Sequence, residues 1–123
     1  MRITKSTVAA VIFASSLLAA SPALAHAHLV KSDPKANATV HTGPKTITLT
    51  FNERLVPAFS KFDLSMPQHG MAVPVKTAVS PDGKRIVGTL PARLTAGAYK
   101  VSWTAASADD GHRMTGELSF KVG

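Results

Sequence analysis

The sequence predicts an all-β domain: about seven short strands in two packed antiparallel sheets. Three observations carry this. Apolar residues recur with a period of two in one segment after another. Turn-forming residues fall between those segments. No stretch sustains a helical stripe.

Residues 28–32 form a short first strand, closed by Asp33-Pro34. In Lys45-Thr46-Ile47-Thr48-Leu49-Thr50-Phe51, the residues Ile47, Leu49 and Phe51 share one face. Gly43-Pro44 marks the turn before it. In residues 59–66, Phe62, Leu64 and Met66 are in phase, and in residues 73–79 so are Val73, Val75, Thr77 and Val79. Ser80-Pro81-Asp82-Gly83 then turns the chain into a strand over 85–90. Residues 90–94 have room for one short turn, and Ala96-Gly97 leads into alternating Tyr99, Val101 and Trp103. A polar loop over 107–112 precedes a last strand that begins near Thr115 and carries Leu118, Phe120 and Val122 inward. The faces of Ile47, Leu64, Val101 and Phe120 supply the core.

A chain of 123 residues fits one compact domain and leaves no room for a large multidomain enzyme. It holds no Cys, which removes disulfides, thiolate metal sites and cysteine nucleophiles. Fourteen Lys and Arg stand against seven Asp and Glu, a formal charge of +7. The positive residues are scattered, which reads as a solubilising surface with weak attraction to anionic surfaces. Nucleic acid is not the expected partner.

Residues 1–27 read as a secretory signal peptide. Arg2 and Lys5 precede an apolar stretch over 8–20, which is short for a membrane span, and small residues follow. Two small-x-small sites compete. Ala23-Leu24-Ala25 would release a chain starting at His26, and Ala25-His26-Ala27 one starting at His28. The expected mature domain is 28–123.

After cleavage before His28, the free α-amine and the imidazole Nδ1 of that residue can chelate one metal ion. Such a nitrogen chelate suits Cu(II). His112 can add an imidazole and Asp110 an oxygen from the same loop, with Gly111 allowing the bend. Asp110-Gly111-His112 also reads as a plain polar turn, and spacing alone does not place it beside His28. Asp109 reads as a solvent-facing turn residue. Glu53 is a candidate axial ligand or outer partner of a ligating histidine, and equally a capping residue. A second group, Met66-Pro67-Gln68-His69-Gly70-Met71, offers two thioethers and an imidazole. Soft neutral sulfur selects Cu(I), although Met66 is also in phase with the core residues Phe62 and Leu64.

Several ordered motifs resemble those of the CopC family of periplasmic copper-binding proteins. They are His28-Leu29-Val30-Lys31-Ser32-Asp33-Pro34; Leu49-Thr50-Phe51-Asn52-Glu53-Arg54-Leu55, which resembles the family's F-S-E-x-L stretch; residues 94–103; Ser107-Ala108-Asp109-Asp110-Gly111-His112; and residues 115–122. The resemblance favours cleavage before His28. It implies a seven-stranded, Ig-like Greek-key β-sandwich, a small cupredoxin-like barrel. It implies one Cu(II) per chain on His28, Asp110 and His112, with Glu53 near the site. It implies export to the periplasm and a role in copper resistance or homeostasis, with delivery to a CopD-type inner-membrane copper protein. Some members carry a methionine-rich loop for Cu(I) at the opposite end. Met66, His69 and Met71 resemble its ends without its dense centre.

Two other functions compete with a copper carrier. One is a copper-dependent oxidative enzyme, which uses a similar N-terminal histidine chelate. It generally needs a broad aromatic surface, whereas the single Tyr and single Trp here fall in a core strand. The other is a metal-free sandwich that binds protein.

Overall fold

The structure is a computed structural model that describes residues 27–123. The leader expected over 1–27 lies, but for Ala27, outside the described residues.

The strands are β1 (Leu29–Asp33), β2 (Thr39–Val40), β3 (Thr46–Phe51), β4 (Lys61–Met66), β5 (Met71–Val73), β6 (Lys76–Val79), β7 (Arg85–Thr89), β8 (Gly97–Ala106) and β9 (Arg113–Val122). They form a four-stranded sheet, β1-β3-β7-β6, and a five-stranded sheet, β2-β9-β8-β4-β5. The fold is all-β with two sheets, as the alternation predicts. Two short 3-10 turns, Pro57–Phe59 and Pro67–His69, lie before and after β4.

The strand count is nine among the described residues, not seven, and the two sheets do not join into a closed barrel. One extra strand comes from the run at 73–79. Proline has no N–H to give to a ladder, and at Pro74 the chain leaves β5, paired with β4, and enters β6, paired with β7 in the other sheet. The phase of the apolar residues is kept across the break. The other extra strand, β2, is two residues that pair in parallel with the end of β9. Residues 90–94 form no helical turn; Leu90 and Leu94 are both buried.

The alternating residues meet between the sheets. Ile47, Leu49, Ile86 and Val101 have no exposed surface. Phe51 of one sheet meets Trp103 of the other edge-to-face, with ring centroids 5.1 Å apart. Gly88 of β7 makes room for Phe62 of the opposite sheet: a Cβ there would lie 2.2 Å from Phe62 Cζ and 2.8 Å from Val75 Cγ2. Gly88→Ala is therefore expected to lower the unfolding free energy by about 2–3 kcal/mol, read as a lower urea midpoint with an unchanged slope. An unchanged midpoint would contradict this contact between the sheets.

The longest ladder, β8–β9, runs from Gly97↔Val122 to Ala106↔Arg113. It sets the two ends of the sandwich about 30 Å apart by strand rise. The ends of β1 and β3 and the 107–112 loop lie at the Ala106 end.

Candidate metal centre

Glu53 and the 107–112 loop are joined by backbone and side-chain bonds. The backbone N–H of Val56 donates to Ala106 O at 2.8 Å, and that of Ala108 donates to Arg54 O at 2.9 Å. Leu55 and Ser107 form a single antiparallel bridge. Ser107 is fully buried, and its hydroxyl donates to Glu53 Oε1. The turn at residues 80–83 is bonded to the same segment, where Leu55 N–H donates to Gly83 O at 2.8 Å. In that turn the Ser80 hydroxyl and the Lys84 N–H both donate to the Asp82 carboxylate, which holds its pKa below the ordinary aspartate value.

Ser107 also shapes the loop that carries Asp110 and His112. Its N–H donates to His112 O at 2.9 Å, its carbonyl accepts from Gly111 N–H at 2.8 Å, and its hydroxyl accepts from Asp109 N–H at 3.3 Å. Gly111 takes φ 72°, a left-handed conformation that costs an ordinary residue about 1 kcal/mol or more. This bend folds Asp110 back so that its Oδ1 accepts from His112 N–H at 3.0 Å. Gly111→Val is expected to loosen the loop and leave the core intact. It should speed amide exchange at 107–112 and lower the global unfolding free energy by only about 1–2 kcal/mol.

His28 reaches the same end from the other sheet. Leu29 pairs with Phe51, and beyond that pair His28 and Asn52 bond to each other. Asn52 N–H donates to His28 O at 3.0 Å, and the His28 nitrogen donates to Asn52 Oδ1 at 2.6 Å. Asn52 adjoins Glu53, and Glu53 is bonded to Ser107. Hydrogen-bonded segments thus connect His28, Glu53 and the Asp110–His112 loop at one rim.

His28, Asp110 and His112 are exposed there, and Glu53 is half-buried. Among the described residues, no three or more His, Asp or Glu side chains already stand as a metal-holding group. The chemistry of the donors fits Cu(II): imidazole, carboxylate and, in a chain processed before His28, a primary amine. Glu53 already accepts the Ser107 hydroxyl, which gives it a clear part in fixing the loop. Arg113 lies over the Phe59 ring at 4.3 Å on the same rim, a cation–π contact that spacing did not reveal.

The methionine group lies at the other end of β8. Met66 and Met71 are directly paired across the β4–β5 hairpin, and His69 sits in the turn between them. Met66 packs against the core and its methyl covers Gly97, where a Cβ would stand 2.5 Å from Met66 Cε. Met71 is 53% exposed, and His69 is exposed as well. Met114 does not belong to this group. It faces Ala105 across β8–β9, two residues after His112.

Comparison with known proteins gives a consistent result. The profile of a family described as CopC domain matches residues 29–123. A copper resistance protein C from Pseudomonas syringae pv. tomato is 43% identical over 117 residues, covering 90% of this chain and 91% of that protein. One from Xanthomonas campestris pv. juglandis is 38% identical over 124 residues and covers 96% of each. The crystal structure of PcoC, a methionine rich copper resistance protein from Escherichia coli, is similar at a TM-score of 0.71 and 38% identity. The match covers 80% of this chain and 100% of that one.

Proposed function

The chain belongs to the CopC family, and from that premise we propose that it holds one Cu(II) through the amine and imidazole of a processed His28, with Asp110 and His112. As a family member it is a periplasmic copper-binding protein of the copper-resistance type, and not an enzyme. Holding the ion at an exposed rim suits a protein that buffers Cu(II) or passes it on, with a CopD-type inner-membrane copper protein as the recipient.

One observation supports the ligand set most: two bonds tie His28 to Asn52, while the next residue, Glu53, is bonded to the base of the Asp110–His112 loop. Donors from opposite ends of the sequence thereby share a rim. Glu53 acts on the ion through Ser107, by holding the loop. The 28–123 segment is the mature domain in this account.

Copper titration of the processed protein tests the reading, with one Cu(II) per chain expected. A metal-free sandwich would take up none. Imidazole must be deprotonated to ligate, so protons compete with the ion. Affinity is expected to fall as pH drops through the ordinary histidine range, from about pH 7 to about pH 5. Competition against a chelator at both values reads this, and pH-independent affinity would count against imidazole ligands.

The pairing of Met66 with Met71 favours a second, weaker site for Cu(I) on the hairpin, completed by His69. It lies at the far end of β8. Met71→Ala is expected to leave Cu(II) affinity within about twofold, because thioether is a poor donor to Cu(II), and to weaken Cu(I) uptake. A large loss of Cu(II) affinity in this variant would move the Cu(II) site to the hairpin.

A further inference from the structure

We propose that Asn52 is the positioning residue for the first copper donor: its side-chain oxygen fixes the His28 nitrogen at the rim. The inference rests on the His28 chelate described above and adds a residue to it.

Asn52 holds His28 from both sides. Its N–H donates to His28 O at 3.0 Å, and its Oδ1 accepts from the His28 nitrogen at 2.6 Å. The β1–β3 register shifts between Leu29 and Lys31, so the regular ladder is already interrupted next to His28. In a chain that begins at His28 nothing precedes that residue to anchor it. Terminal residues fray unless they are tied down, and these two bonds tie His28 to the end of β3.

The side-chain bond is compatible with metal binding. An amine bound to Cu(II) gives its lone pair to the metal and keeps two N–H groups. One of these can still donate to Asn52 Oδ1, which accepts and does not compete for the lone pair. The amide is neutral, so it holds the amine without adding a charge at the site.

A double-mutant cycle tests this on two forms of the mature protein: one starting at His28, and one with a single Gly ahead of it. Chelator competition should show Asn52→Ala weakening Cu(II) binding about five- to tenfold in the first form, the value of one hydrogen bond. In the Gly-extended form Asn52 holds a peptide N–H and not the donor amine, so the same substitution should change affinity less than twofold. Asn52→Asp keeps an acceptor and should restore most of the loss. Equal losses in both forms would mean a merely structural role and would overturn the inference. No loss in the first form would do the same. If the added Gly leaves the parent protein's affinity unchanged, the chelate reading itself fails, an outcome separate from any behaviour of Asn52.

Discussion

One extra residue ahead of His28 is expected to lower Cu(II) affinity by about a thousandfold. The α-amine and Nδ1 belong to one residue, so once the imidazole binds, the amine is presented to the same ion at very high effective concentration. An added residue turns that amine into an amide, a poor donor until its proton is lost, and carries the new amine away from the ring. The loss is expected in the on-ion geometry and not in the fold, since the His28 nitrogen keeps a hydrogen to give to Asn52. The measurement is chelator competition on the two proteins, with thermal unfolding as control. Similar affinities would remove the amine from the ligand set.

His112→Ala is expected to cost about a hundredfold or more in Cu(II) affinity. Outer partners of metal ligands already cost about 10–100-fold when changed, and on the proposed ligand set this substitution removes an imidazole donor itself. The loop should survive, because its bonds to Ser107 use the backbone of Gly111 and His112 and not the imidazole. Asp110→Ala is the less informative variant. It also removes the carboxylate that accepts His112 N–H, so loop order and metal binding would change together. A His112→Ala protein that binds Cu(II) like the parent would leave the loop with no part in the site.

The parts of the fold that were legible in the sequence are those where burial alternates on a single strand. Ile47, Leu49 and Phe51, or Leu118, Phe120 and Val122, announce both the strand and its inward face, because one side meets core and the other solvent. The run from Val73 to Val79 shows the limit of this signal. Pro74 moves the chain from one sheet to the other while the apolar phase continues, and a period of two cannot say which sheet a residue lines. Strand β2 is too short to have a period at all.

The candidate site divides in the same way. Asp110-Gly111-His112 and the histidine after the leader carry their chemistry in their own side chains, so they could be picked out. Asn52 and Ser107 act through bonds to partners 24 and 54 residues away, and no local pattern marks such bonds. The one trace is Ser107 itself, a serine in a strand end that turns out to be fully buried and must therefore find partners. Resemblance to a known family supplied what spacing could not, the expectation that both ends of the chain meet at one rim.

The most direct test of the central claim is a two-dimensional amide NMR spectrum of the processed protein with substoichiometric Cu(II). The paramagnetic ion erases signals from nearby residues. The account predicts selective loss around residues 29–30, 52–54 and 107–113, with the 66–71 hairpin unaffected. Loss centred on 66–71, or confined to only one of the three rim segments, would contradict it.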